Sequence, residues 1–141
     1  MTKSKSFNNM GEKLYRAVRP IELYWSSDGH ITSAVFDLRS GESGVSFDRS
    51  FNRSDNECVK FMLQNLTGSV IRIQVKDVTD LNSSNNLMLK YLPSKKNNII
   101  KNPYHSELQY KTQDKKALNQ IKYALSRRAV IVYDSKSADK D

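Results

Sequence analysis

The sequence predicts a single α+β domain with a mainly antiparallel sheet and two amphipathic helices. Residues 13–20 and 69–78 alternate polar and apolar side chains, as strands with one wet face do. Turn signals at 26–29 and 40–44 separate short segments, which favours antiparallel neighbours, and residues 112–128 have helical periodicity. A chain of 141 residues with 38% hydrophobic residues is the size of one ordinary domain.

The first half of the chain reads as strands joined by turns. The first strand is residues 13–20, which Pro20 ends because it cannot donate to a sheet. The SSDG turn then leads into a second strand at 30–38, and the SGESG turn leads into a third at 44–50.

A capping box predicts where the first helix begins. Ser54 and Glu57 have the spacing in which each side chain satisfies a free backbone donor at a helix start. The helix would cover residues 55–66 and end before Gly68, with an apolar face made of Cys58, Phe61, Met62 and Leu66. Cys58 is therefore interpreted as a core residue and not as a nucleophile.

The second half is predicted as strand, helix and strand. Residues 69–78 form the most regular alternation in the chain, whereas 87–92 are too short to assign. Residues 93–103 contain two prolines and three asparagines and are expected to be an exposed connection. A helix over 112–128 and a closing strand over 129–134 follow; the helix would dock through Leu118, Ile121 and Leu125.

The predicted boundaries are a disordered tail at 1–11, the domain at 12–134 and a second disordered tail at 135–141. No apolar run is long enough for a signal peptide core or a membrane span, and a single cysteine allows no internal disulfide. We therefore expect a cytoplasmic protein without membrane contact, metal site or cofactor. Abundant Lys, Asn and Ser are typical of an AT-rich genome, bacterial or viral.

Positive charge is concentrated in one segment. Residues 90–128 carry ten Lys or Arg against two Asp or Glu, which matches the net charge of +8 for the whole chain. Such a segment can attract nucleic acid or an acidic protein, although it can also be an ordinary solvated surface. Tyrosines interleave with these cations, as suits a phosphate backbone with exposed bases. The candidate binding residues are Lys95, Lys96, Lys101, Lys111, Lys115, Lys116, Lys122, Arg127 and Arg128.

A second candidate site involves NPYHSEL, residues 102–108, which contains His105 and Glu107. Arg16, Ser33 and Ser46 fall on the predicted strands, and a shared polar face could bring all five side chains into one cleft. The simpler interpretation is an Asn-Pro turn with a solvated histidine and a glutamate paired to a nearby lysine.

Two resemblances bear on this site. Tyr15-Arg16, Asp28-Gly29 to Phe36, Gly44 to Asp48 and Asn102 to Glu107 resemble the pattern of a group of small uncharacterised bacterial proteins. The order Arg16, Ser33 or Ser46, then Glu107 is also similar to that of ADP-ribosyltransferase-like folds, which implies NAD as cosubstrate. Many members of those folds have Gln or Glu where this chain has His105.

The sequence leaves three functions open. Walker, dinucleotide-binding, zinc-protease and nucleophile-elbow motifs are missing. We therefore expect a non-catalytic bacterial or phage protein whose basic face binds nucleic acid or a partner in a larger assembly. The alternatives are an NAD-dependent transferase and an accessory subunit without nucleic-acid contact. The oligomeric state cannot be read from the residues.

Overall fold

A computed structural model describes residues 6–135, so residues 1–5 and 136–141 of the predicted tails lie outside the described chain. The strands are Lys13–Val18 (β1), Val45–Arg49 (β2), Ser69–Gln74 (β3), Leu87–Tyr91 (β4), Ser94–Lys96 (β5), Ile99–Asn102 (β6), His105–Tyr110 (β7) and Val130–Tyr133 (β8). The helices are Asp55–Leu63 (α1), Val75–Leu81 (α2) and Lys115–Arg128 (α3), with short 3₁₀ turns at Glu22–Tyr24 and Ser33–Phe36. The predicted single-domain α+β fold is confirmed.

Six of the strands form one sheet in the order β4-β7-β2-β1-β3-β8, and every neighbouring pair is antiparallel. The other two, β5 and β6, form a separate hairpin between β4 and β7 in the chain.

The main core lies on the sheet face that carries Leu14, Phe47 and Leu108, which we call the α3 face. Ile121 and Leu125 of α3 pack into it, as predicted, whereas Leu118 is only half-buried. These positions recur every three or four residues, so they share one side of the helix.

The opposite face, which carries Tyr15, Asp48 and His105, is the α1 face. There α1 packs on Tyr15 and Val70 through Cys58, Val59 and Met62, which makes Cys58 a core residue. The predicted capping box is present: Ser54 Oγ accepts from the Glu57 amide, and the Glu57 carboxylate accepts from the Ser54 amide.

Helix α1 ends at Leu63, three residues earlier than predicted, and Leu66 is 48% exposed. The chain has to turn at Gly68, which has φ +106° and approaches β1 closely. A Cβ at Gly68 would lie 2.3 Å from the Val18 carbonyl oxygen, so only glycine fits there.

Two predicted strands are wrong in whole or in part. Residues 30–38 contain the 3₁₀ turn Ser33–Phe36, because adjacent Val35 and Phe36 both enter the core and alternation would bury only one of them. The predicted strand 69–78 ends at Gln74, where Gln74 and Asp77 cap α2.

The exposed connection at 93–103 holds the β5–β6 hairpin. Its turn is Asn97-Asn98, with φ of +53° and +65°. Asparagine tolerates this left-handed backbone, which two-residue hairpin turns require.

The described part of the predicted N-terminal tail contacts Arg49. This arginine is 1% exposed and forms a two-point ion pair with Glu12, with donor–acceptor distances of 2.7 and 2.9 Å. Its guanidinium lies 4.0 Å from the centre of the Phe7 ring and donates to the Ser6 carbonyl.

Candidate functional site

A cleft of about 440 Å³ opens on the α1 face, beside the C-terminal end of α1. Its polar side chains come from β1, β2, β7, the segments next to these strands, and the segment that follows α1. They include Arg19, Arg39, Ser46, Asp48, Asn102 and His105.

The alternation of side chains along β2 determines which of its residues lie at the centre of the cleft. In β2, Val45, Phe47 and Arg49 point to the α3 face, so Ser46 and Asp48 point to the α1 face. Asp48 lies directly opposite His105, and Ser46 lies opposite Glu107. Directly opposite residues of antiparallel strands project from the same face.

The His105 ring is held in one orientation by backbone. Its Nδ1 lies 2.7 Å from the Leu92 carbonyl oxygen, which can only accept, so Nδ1 carries a proton. In the neutral ring Nε2 is then an acceptor, and Ser46 Oγ lies 3.4 Å from it. This long hydrogen bond leaves a basic nitrogen facing a hydroxyl inside the cleft.

Asp48 is a nearly buried carboxyl group, 7% exposed, beside that histidine. Burial raises its pKa, and the opposing effects are a hydrogen bond from Asn102 and the charges of Arg53 and His105. Asn102 Nδ2 donates to Asp48 Oδ1 at 2.9 Å.

The Asn-Pro turn of NPYHSEL positions Asn102. The Tyr104 amide donates to Asn102 Oδ1 at 3.0 Å, which leaves the Asn102 amide group directed at Asp48. The Tyr104 ring stacks on the Arg53 guanidinium, 3.3 Å from the ring centre, and packs against Phe61. NPYHSEL is therefore a turn leading into a strand, and it also supplies two side chains of the cleft.

Two arginines lie at the other end of the cleft. Arg39 and Arg19 are both exposed, and Arg39 donates to the Tyr24 hydroxyl at 3.2 Å. Burial opposes ionisation of Tyr24, but hydrogen bonds from Arg39 and Arg19 outweigh it and lower its pKa. Guanidinium groups that converge on one hydroxyl and remain open to solvent can bind an anionic group, although the Glu42 carboxylate, which accepts from the Arg39 amide, lines the same end of the cleft.

Arg16 lines the cleft, but its guanidinium is engaged elsewhere, and the predicted Ser33 and Glu107 do not line the cleft. Arg16 points to the α3 face, where it donates to the carbonyl oxygens of Val35 and Ser46, each at 2.9 Å. Ser33 lies in the 3₁₀ turn and not on a strand. Glu107 points to the α1 face, so the sheet separates its carboxylate from the Arg16 guanidinium.

The carboxylate of Glu107 accepts from Ser43 Oγ at 2.8 Å and lies over Gly44. A Cβ at Gly44 would come within 2.9 Å of Glu107 Oε1 and of the Leu108 carbonyl oxygen. The glutamate therefore anchors the loop that precedes β2.

The predicted basic residues divide into two groups. The hairpin lysines, defined as Lys95, Lys96 and Lys101, are exposed on β5 and β6. The helix lysines are defined as Lys115 and Lys116 at the start of α3 together with Lys111, which follows β7. They lie beyond the other end of β7 from the hairpin, and β7 is about 17 Å long at about 3.4 Å per residue.

The remaining predicted cations belong to α3. Lys122 pairs with Asp37 at 2.6 Å, and Arg128 pairs with Asp77 and Asp80 at 3.5 and 3.3 Å. Arg127 is exposed in the last helical turn. The basic segment is therefore not one continuous patch.

Sequence reasoning missed Arg19, Arg39, Asp48 and Asn102. The alternation in GVSFDR could have identified Asp48 as a neighbour of Ser46, and the Asn-Pro turn could have identified Asn102. The two arginines become neighbours only through the Tyr24 hydroxyl, which no local pattern indicates.

Within residues 6–135, no three His, Cys, Asp or Glu side chains are grouped so that they could hold a metal ion. In the same range, every helix is too short or too polar to cross a membrane. No protein-family model matches the chain, and no curated protein or solved structure is significantly similar to it.

Proposed function

We propose that this protein binds a single-stranded nucleic acid along the cleft of the α1 face. The observation that carries the proposal is the continuity of the hairpin with the cleft: β6 ends at Asn102, whose side chain lines the cleft. The hairpin lysines thus lie at one end of the cleft and Arg19 and Arg39 at the other.

The charges at the two ends suit phosphate groups. Exposed lysines bind phosphates mainly by displacing counterions, and arginines bind them through paired N–H groups. The hairpin lysines and the two arginines are all exposed. A nucleic-acid strand bound at both ends would pass over the floor of the cleft between them.

The floor between the two ends suits base edges. Asn102, Asp48, Ser46 and His105 offer donors and acceptors there, and unpaired bases present their edges to such groups. In a duplex those edges are engaged in pairing, which is why a single strand is the preferred form. Ile99 and Ile100 of the hairpin are 67% and 53% exposed and can contact base faces.

Two matched triple variants test this proposal by fluorescence anisotropy with a labelled single strand at several salt concentrations. One replaces the hairpin lysines by Gln, and the other replaces the helix lysines by Gln, so each removes three positive charges. The salt slope is the slope of the logarithm of the binding constant against the logarithm of the salt concentration. In the hairpin variant its magnitude should fall by about 2, because three phosphate contacts are lost and each contributes about 0.7. The helix variant should keep the slope of the wild type.

Equal losses in both variants would contradict the proposal, because they would indicate diffuse attraction to the net charge. A wild type without any binding at low salt would remove nucleic acid as the partner. It would leave an acidic protein or an accessory role.

A further inference from the structure

The centre of the cleft contains a histidine and a carboxyl group whose arrangement is not needed merely to bind a nucleic-acid strand. Binding can use any donor or acceptor, but here one histidine is fixed in a tautomer whose basic nitrogen faces a hydroxyl. A carboxyl group lies directly across the strand pair from it. This arrangement has the two groups that acid–base catalysis needs.

We propose that the protein cleaves RNA in this cleft, with His105 as the general base toward a ribose 2′-hydroxyl and Asp48 as the general acid. The proposal rests on the proposed function, since the RNA has to bind along the cleft first. It adds an activity and restricts the substrate to strands that carry 2′-hydroxyl groups.

His105 Nε2 is the base. Ser46 Oγ, at 3.4 Å, occupies the position from which a hydroxyl donates to Nε2. A 2′-hydroxyl that replaces it would donate in the same direction. The hydrogen bond from Nδ1 to the Leu92 carbonyl keeps the ring oriented, and it also stabilises the imidazolium that forms when Nε2 takes the proton.

Asp48 is the acid. Its side chain starts from the residue opposite His105, where Cβ atoms are about 5 Å apart, so the two groups can lie on either side of a phosphate. Burial raises the pKa of Asp48, which increases the protonated fraction of the carboxyl group. Asn102 donates to Oδ1, which leaves Oδ2 to carry the proton.

The step is balanced without any further reactant. The 2′-oxygen forms a bond to phosphorus as its proton passes to His105 Nε2, and the bond from phosphorus to the 5′-oxygen breaks. The leaving oxygen takes the proton of Asp48. The products are a 2′,3′-cyclic phosphate and a 5′-hydroxyl end, and proton exchange with water restores both residues.

The test uses an end-labelled RNA strand and the same sequence with 2′-O-methyl groups, which binds but lacks the nucleophile. Wild-type protein should cut the RNA, leave cyclic phosphate ends and spare the methylated strand. His105→Gln should slow cutting by a factor of 10² or more, the usual size of a general-base contribution, while binding of the methylated strand stays within a few-fold.

The other histidine supplies the matched control. His30 contacts the Ser126 carbonyl through Nε2 at 3.0 Å, outside the cleft, so His30→Gln should cut RNA like the wild type. Asp48→Asn provides a second variant should His105→Gln fail to fold, and it should also lose cutting.

Each remaining outcome is decisive. Wild type that binds the methylated strand and leaves RNA intact would overturn the cleavage proposal alone. Equal cutting by wild type and both cleft variants would also overturn it, because the activity would come from a contaminating nuclease. Absence of binding to either strand would overturn the proposed function and this inference together.

Discussion

Arg16 and Glu107 project from opposite faces of one sheet. The guanidinium of Arg16 is buried under Val35, and the Glu107 carboxylate binds Ser43 on the other side. A carboxylate can stabilise a ribose cation only when it is fixed beside it, together with the groups that bind the substrate. In this structure the Arg16 guanidinium and the Glu107 carboxylate are therefore engaged by different partners.

This separation predicts that the protein does not consume NAD. Wild type and Glu107→Gln should both leave NAD unchanged in the presence of RNA, DNA or a cell lysate, as measured by cosubstrate loss and target labelling. Glu107→Gln keeps the shape of the side chain, so the melting temperature should change little. Turnover of NAD by the wild type but not by the variant would contradict this account.

Helix α3 should depend more on Leu125 than on Leu118, because Leu125 is fully buried and Leu118 only half-buried. Leu125→Ala should lower the free energy of unfolding by about 2 to 5 kcal/mol, the usual cost of a cavity at a buried leucine. Leu118→Ala should cost clearly less. Urea denaturation of both variants checks the order, and a reversed order would show that α3 packs differently.

The buried pair of Glu12 and Arg49 should be sensitive to loss of its carboxylate. Glu12→Gln removes the carboxylate charge that lies 2.7 Å from the Arg49 guanidinium, which is 1% exposed. Removing one member of a buried pair typically costs about 3 to 5 kcal/mol. Chemical denaturation measures the loss, with Glu22→Gln on the surface as control. Equal small effects of the two substitutions would refute the structural role of the pair.

The carboxylate of Asp48 should make the fold less stable as the pH rises. Because burial raises its pKa above that of the unfolded chain, the native state binds more protons between the two pKa values. Stability contributed by the protonated group is thus present below the ordinary carboxyl pKa of about 4 and is lost as pH rises through the folded value.

Asp48→Asn keeps the contact with Asn102 and removes the charge. Relative to wild type, it should raise the melting temperature at neutral pH, and the difference should vanish below about pH 4. A constant difference at both pH values would show that Asp48 does not titrate in this way.

The isoleucines of the hairpin should contribute affinity that does not depend on salt. Replacing Ile99 and Ile100 by Ser should weaken single-strand binding while leaving the salt slope unchanged, since no ionic contact is lost. Anisotropy titrations at several salt concentrations measure both quantities. Leu23→Ser, at another exposed apolar position, should leave affinity unaltered. A changed slope in the isoleucine variant would mean that the hairpin itself has rearranged.

The elements with local signals could be predicted from the sequence. Strand β1 ends before Pro20, Ser54 and Glu57 cap α1, and α3 repeats its apolar residues with helical spacing. The β3–α2 boundary could not, because Val75 continues the alternation of the strand and also pairs with Val78 at helical spacing. The capping contact between Gln74 and Asp77 favours a helix from Val75 onward over a longer strand.

The candidate site depends on register between distant parts of the chain. Ser46 and His105 could be named from the sequence, but only the pairing of β2 with β7 places them together. The alternation of β1 also directs the Arg16 guanidinium to the carbonyl oxygen of Val35, although Arg16 is one of the residues that line the cleft. Charge counting likewise could not show that β7 separates the hairpin lysines from the helix lysines.

The most direct measurement of the central claim is an NMR titration of the labelled protein with a 2′-O-methyl single strand. We predict that the largest backbone amide shifts fall on the hairpin and on the cleft residues Ser46, Asn102 and His105, with smaller shifts at Arg19 and Arg39. The exposed side of α3 should stay unchanged. Shifts confined to α3 and the helix lysines, with the cleft unaffected, would contradict the account.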